Sequence, residues 1–224
     1  MRIAACRLNP ALTARAFLFF AYPANMAGPV WTSLGRTMQT VDGYSGATPL
    51  AIAANPPAGV GVTEALREAG FTFQSMATGV MAGSIGETCA IACILGALFL
   101  VLTGVGSWRI MLSCVIGLLV AGLLANWIGK PGTLAQLPPH YHLVMGSFAF
   151  GAVFMATDPV SAAATNPGKW IYGFLIGMLV VIIRVANPAY PEGVMLSILF
   201  MNVMAPLIDN YVVEAHIRRR KRRG

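Results

Sequence analysis

Hydrophobic and polar positions alternate along this chain in long blocks, not in the short steps of a soluble fold. Five runs stand out, at 87–105, 108–128, 141–157, 170–186 and 193–213. Each approaches the roughly 20 apolar residues that a helix needs to cross about 30 Å of hydrocarbon, the third and fourth falling short. Gly106-Ser107, Gly129-Lys130-Pro131-Gly132, the stretch 159–169 and Asn187-Pro188 to Gly193 supply the breaks. An earlier run, 16–34, makes a further crossing that Pro23 and Pro29 interrupt. Interrupted helices persist only where protein or a cavity satisfies the freed backbone groups, so this one is expected to face inward. The stretch 71–86 is only moderately apolar and rich in Gly, Ser and Thr, which predicts an interfacial or re-entrant segment. Between these lies a polar connection, 38–70, with Asn55-Pro56-Pro57 as a stop and Thr63-Glu64-Ala65-Leu66-Arg67-Glu68 as a short surface helix. The pattern predicts one all-α, polytopic membrane domain over 1–224, with five to six crossings, a helical bundle over 71–213 and a tail over 214–224.

Composition supports a membrane protein: 224 residues, 57% hydrophobic and 10% charged, with a mean hydropathy of +0.70. The net charge of +7 does not point to nucleic acid, because the excess sits in Arg218, Arg219, Arg220, Lys221, Arg222 and Arg223, directly after an apolar segment. A terminal basic cluster in that position is a cytoplasmic anchor. Five crossings separate residue 48 from this tail, so the polar connection is expected on the opposite, extracytoplasmic face. Arg109 and Lys169 then flank cytoplasmic turns, with Lys130 a mild exception to the positive-inside rule. Trp108, Trp127, Tyr141, Trp170 and Tyr190 fall at segment ends, as an aromatic belt would. Arg2 and Arg7 precede an apolar run, but Arg15, Pro23 and Pro29 interrupt it, so it does not read as a signal peptide. Cys89, Cys93 and Cys114 sit in apolar runs and read as small buried hydrophobes, not as metal ligands.

Within the polar connection, Asp42-Gly43-Tyr44-Ser45-Gly46-Ala47-Thr48 has the chemistry of an exposed turn. Pro49 pushes Thr48 out of the α region towards extended backbone, so its hydroxyl is expected to be presented. Ser45-Gly46-Ala47 puts little bulk before it, leaving room for the close approach of an enzyme or a phosphate group.

This segment resembles the flavinylation motif of the B subunit of the sodium-translocating NADH:quinone reductase, and of the related D subunit of the Rnf complex. The stretches Leu8-Asn9-Pro10-Ala11, Met155-Ala156-Thr157-Asp158-Pro159-Val160-Ser161-Ala162 and Pro191-Glu192-Gly193 are similar to the B subunit, and the likeness runs from Leu8 to about Arg219. The resemblance implies half of a urea-transporter-like helical fold in the bacterial inner membrane, within a six-subunit redox complex. It further implies FMN joined through its phosphate to Thr48 by a separate flavin transferase acting outside the cytoplasm, with riboflavin and ubiquinone as further partners in electron transfer and sodium as the translocated ion. It also makes the chain look like a C-terminal half, a truncated frame or a mis-called start.

Under that resemblance Ser45, the Gly46 backbone and Asp42 are the local candidates to orient the flavin ring. Asp42 also reads as a turn former and as a recognition element for the transferase. Asn9 matches a position near riboflavin, where a neutral amide both donates to and accepts from a ring edge, although local turn capping explains it equally. Asp158 and Asp209 are the carboxylates implied in the sodium path, and hard oxygen ligands suit a small hard cation. Asp158 before Pro159 reads equally well as a helix N-cap with proline at N1, and Asp209 sits near the cytoplasmic end of its run. Arg184 reads as an interfacial cation that snorkels, or as a phosphate partner. Glu87 reads as a dipole partner at a helix start, and His140 with His142 as an interfacial pair. No phosphate-cradling loop or dinucleotide fingerprint is present, so substrate oxidation is expected on a partner. Two alternatives stay open, an Rnf D subunit and, in another class, a channel or transporter with no redox role.

Overall fold

The computed structural model describes residues 8–22, 48–57, 59–80, 88–129, 132–187 and 192–222. Helices α1 (Pro10–Ala21), α2 (Pro49–Ala54), α3 (Val62–Glu68), α4 (Phe73–Thr78) and α5 (Ala90–Leu102) precede the long helix α6 (Trp108–Ile128). After a 3₁₀ turn at Leu134–Gln136 come the short helices α7 (Tyr141–Val144) and α8 (Phe148–Phe150), the latter continuing as a π-helical turn at Gly151–Met155. Helices α9 (Asn166–Ala186) and α10 (Val194–Lys221) complete the order. Every described element is helical, as expected of a polytopic membrane protein.

Three helices, α6, α9 and α10, are long and apolar enough to cross a membrane. Helix α5 is apolar but has only 13 residues. The run 141–157 is not one helix. It breaks at Met145-Gly146, where Met145 is extended and Gly146 has φ +65°.

The centre of the bundle is the pairing of α6 with α9. Trp108 meets Trp170 edge to face, with ring centroids 5.9 Å apart, Ser113 donates to the Lys169 carbonyl at 3.4 Å, and Gly177 sits against the backbone of Cys114 and Leu118. Contacts advance in the same direction along both helices, so α6 and α9 are parallel. The chain between them must therefore return across the layer, and the broken α7–α8 segment is that return.

Close approach is possible because the pairing face is stripped of side chains. A Cβ on Gly117 would lie 2.1 Å from the Phe174 carbonyl oxygen, one on Gly173 2.6 Å from that of Ile110, and one on Gly177 2.0 Å from that of Cys114. Gly173 and Gly177 form a GxxxG pair. Between helices that are both surrounded by lipid the hydrophobic effect gives little, and van der Waals contact between backbones takes its place. Helix α10 packs antiparallel on α9, with the Tyr172 hydroxyl donating to Asn202 Oδ1 at 2.6 Å. Pro206 interrupts α10 one turn later and removes the amide that the Asn202 carbonyl would otherwise accept from.

The bundle has two distinguishable ends. Asp209 of α10 meets Thr165 at the start of α9, near the basic residues of the tail; this is the tail end. The far end carries Arg184, 19 residues along α9 from Thr165, or about 28 Å at 1.5 Å per residue. Helices α2, α3 and α4 gather at the far end in a second core, in which Leu50, Val62, Leu66 and Met76 pack with Leu137, Val144 and Met145.

Candidate functional site

Thr48 lies at the far end. Its backbone is extended, φ −70° and ψ 153°, as Pro49 requires. It caps α2, its Oγ1 accepting from the Ala51 amide at 3.3 Å. The side chain is half-buried, while Pro49 and Leu50 immediately after it are buried, so α2 fixes the threonine to the bundle by its next two residues. The geometry is compatible with a phosphoester. Esterification replaces the hydroxyl hydrogen and leaves the oxygen a lone pair with which to keep the Ala51 bond. Asp42, Ser45, Gly46 and Glu87 lie outside the described residues.

At the tail end the fold brings Asn9 and Asp158 together across 149 positions of sequence, Asn9 Nδ2 donating to Asp158 Oδ2 at 3.4 Å. Asn9 also caps α1, its Oδ1 accepting from Ala11 N at 3.0 Å and Leu12 N at 3.2 Å. Both lone pairs of that oxygen are used, and one amide N–H is left over. Asp158 is not a helix N-cap, because the chain stays non-helical from Pro159 until Asn166. Instead it closes an Asx turn, accepting from Val160 N at 3.1 Å and from Ser161 Oγ at 2.7 Å. Both residues line a cleft of about 500 Å³, walled by Leu100, Val105, Phe154 and Val160 among others.

Asp209 has a different setting. Its carboxylate accepts from Ala164 N at 2.7 Å, from Thr165 N at 3.0 Å and from the Thr165 hydroxyl. A Cβ on Gly168 would lie 2.6 Å from Asp209 Oδ1, so glycine there admits the carboxylate. This is a clasp between α10 and the first turn of α9. In Asp209→Asn one oxygen becomes an NH₂ that faces N–H donors, and each lost bond with its stranded donor costs about 1–3 kcal/mol. We expect a lower thermal midpoint, read by intrinsic fluorescence on the detergent-solubilised protein, and the same drop with and without sodium. A drop that sodium alone produces or removes would refute the clasp.

Arg184 corrects the snorkelling expectation. It is fully buried at 0% exposure, with Nη1 donating to the His142 carbonyl at 2.9 Å, Nη2 to the Met145 carbonyl at 2.9 Å and Nε to the Glu192 carbonyl at 3.4 Å. Those carbonyls are exposed by the break in the return segment and by the start of α10, so the guanidinium satisfies what the irregular backbone leaves open. His142 is likewise buried, not interfacial, whereas His140 is exposed, meeting Phe73 edge to face and lying tilted against Tyr141. Glu192 receives Arg15 at 3.4 Å and the Ser147 hydroxyl, tying α1 to the far end. Sequence reasoning missed Arg15, Ser147, Gly146 and Glu192 as a group, since they lie far apart along the chain. Cys93 and Cys114 are buried as expected, while Cys89 is half-buried at the start of α5. Among the described residues no group of three His, Cys, Asp or Glu could hold a metal ion.

Comparison with known proteins gives this geometry a family. The B subunit of the Na(+)-translocating NADH-quinone reductase of Ectopseudomonas mendocina (strain ymp) is 51% identical over 219 residues, covering 97% of this chain and 51% of that protein. Proteins of the same name from Azotobacter vinelandii and Neisseria meningitidis serogroup A are each 50% identical over 97% of this chain, which covers 51% and 52% of them respectively. The chain therefore spans about half the length of the curated relatives it matches. A family model described as NQR2, RnfD, RnfE matches residues 4–218, so the chain belongs to the NQR2, RnfD, RnfE family.

Proposed function

We propose that this chain is the flavin-bearing part of a B-type membrane subunit in a sodium-translocating NADH:quinone reductase, with FMN esterified to Thr48. The observation that carries this reading is identity at about half of all positions, across nearly the whole chain, with proteins bearing that subunit's name. The matched span includes 42–48. When bound, the flavin supplies one- and two-electron redox chemistry, and the residues of the chain hold and orient it. Thr48 provides the covalent tether, α2 anchors it through Leu50, and Asp42, Ser45 and Gly46 orient the ring. Asn9, which lines the tail-end cleft and has one amide N–H left over, is the contact for riboflavin, and electrons pass onward to ubiquinone. Asp158 lines that cleft and stands in the sodium path, and Asp209 contributes at the same end. The clasp geometry supports a holding role for Asp209, whereas Asp158, which also accepts three hydrogen bonds, differs in lining the cleft. The basic tail faces the cytoplasm, Thr48 lies on the other side of the bacterial inner membrane, and the remaining subunits of a six-subunit complex supply NADH oxidation.

Denaturing gel electrophoresis under ultraviolet light tests the reading. With a flavin transferase co-expressed, the chain is expected to give a fluorescent band that Thr48→Ala abolishes, with an unchanged band on a protein stain. An equally bright band from Thr48→Ala moves the flavin elsewhere, and no band from the unaltered chain ends the proposal in favour of a channel.

A further inference from the structure

We propose that Arg184 is a positioning residue for the Thr48 segment, acting through Met145 and Gly146 on Leu50. The proposal rests on the reading of Thr48 as the flavin-bearing residue and assigns a part of the machinery that holds it.

The guanidinium is walled off from any phosphate or lipid headgroup outside the bundle. It is fully buried, and each of its three nitrogens already donates to a backbone carbonyl, at His142, Met145 and Glu192. A buried cation is costly unless its surroundings return that cost. Here it fixes the one place where the return segment is not helical. Gly146 stands at the break, in the left-handed region at φ +65°, with a Cβ position that would lie 3.2 Å from Arg184 Nη2 and 3.1 Å from Leu50 Cδ2. The glycine is thus the thin layer between the guanidinium and a side chain two residues after Thr48. Leu50 itself is buried with Val144 and Met145 on either side of the helix end that Arg184 grips. Any shift of Met145-Gly146 must be taken up by Leu50, because a packed core does not deform smoothly. Leu50 is joined to Thr48 by the rigid proline at 49.

The far side of the same guanidinium is held too. Glu192, whose carbonyl takes Arg184 Nε, receives Ser147 and Arg15 on its carboxylate. The break is therefore clamped from α1, α9 and α10 at once. Such a clamp fixes where Thr48 stands and so the surroundings of whatever is tethered there. Positioning of this kind acts on the attached group's environment without touching it.

The test uses the assembled complex in native membranes, with Gly146→Ala, Leu50→Ala, their double variant and Arg184→Lys. Three quantities are read: the amount of the chain on an immunoblot, in-gel flavin fluorescence per chain, and the midpoint potential of the Thr48 flavin by spectroelectrochemical titration. We expect Gly146→Ala to shift the potential or to lower fluorescence per chain severalfold, and Leu50→Ala to reverse much of that change in the double variant by making room. Arg184→Lys, which can serve only part of the carbonyl set, is expected to shift the same quantities. Leu50→Ala, which leaves the Arg184 hydrogen bonds and the backbone break as they are, keeps the test decisive if another variant does not accumulate. Its potential is expected to move, and an unaltered value with full fluorescence overturns the proposal. So do wild-type potential and fluorescence in Gly146→Ala or Arg184→Lys, and so does a mere loss of protein with normal properties in what remains. A wild-type chain without fluorescence fails the Thr48 reading instead, so the two failures are distinguishable.

Discussion

Gly177→Val is expected to prevent the chain from accumulating as a folded species. A Cβ at this position falls 2.0 Å from the Cys114 carbonyl oxygen and 2.6 Å from the Leu118 amide nitrogen. Those are backbone atoms within α6, which cannot rotate aside as a side chain can. Overpacking against mobile side chains costs about 1–3 kcal/mol. Here the helices must instead separate along their length, losing the contacts at Gly117, Gly173 and Trp170 as well. The loss is then comparable with the roughly 5–15 kcal/mol that holds a domain folded. Gly177→Ala is expected to be intermediate, and Leu123→Ala on the exposed face of α6 near neutral. Size-exclusion profiles of the fluorescently tagged protein in mild detergent check the series. A monodisperse Gly177→Val peak of wild-type size and stability would show that α6 and α9 do not meet backbone to backbone.

Arg184→Leu carries the second large effect. Leucine fills part of the volume but leaves the carbonyls of His142, Met145 and Glu192 without the donors that hold them. Each stranded acceptor costs about 1–3 kcal/mol in a dry interior. Breaking a buried charged network typically costs about 3–5 kcal/mol in all. For a chain of this length the midpoint of thermal unfolding would fall by on the order of 10 °C. Arg184→Lys retains the charge but reaches fewer of the carbonyls, so it is expected to fall between leucine and the native residue. A snorkelling arginine would behave in the opposite way, tolerating lysine fully and leucine with little loss. Thermal scans of the purified protein, followed by tryptophan fluorescence, separate the two. Equal midpoints for Arg184→Lys and the native chain would contradict the clamp.

Both effects arise where irregular or unusually close backbone needs one particular side chain, or none. Gly173 and Gly177 stand in GxxxG spacing in the sequence, but nothing local marked them as a packing face or said which helix they meet. Arg184 was visible as a charge at the end of an apolar run, which at that level is indistinguishable from an interfacial arginine. The difference lies in carbonyls set free 39 and 42 residues earlier by a break that the run 141–157 does not announce, since Met145-Gly146-Ser147 is apolar enough to pass as helix. Asp158 shows the same limit on a local scale. Asp-Pro permits a cap or a turn, and the choice fell to the turn because Ser161 and Asn9 supply donors that a helix start would not have used.

By itself the sequence determined the all-helical membrane class, the breaks that bound α6, α9 and α10, the extended backbone at Thr48 and the charge asymmetry of the tail. Each is a property of neighbouring residues, fixed by transfer to hydrocarbon or by the sterics of proline. Only the tertiary structure decided that Asn9 meets Asp158 at one end of the bundle, that Asp209 clasps the start of α9, and that Arg184 and Gly146 stand behind the Thr48 segment at the other end. Those outcomes depend on which distant backbone groups are left without partners once the helices pack. A buried polar side chain goes where such groups need it, and no local pattern records where that is.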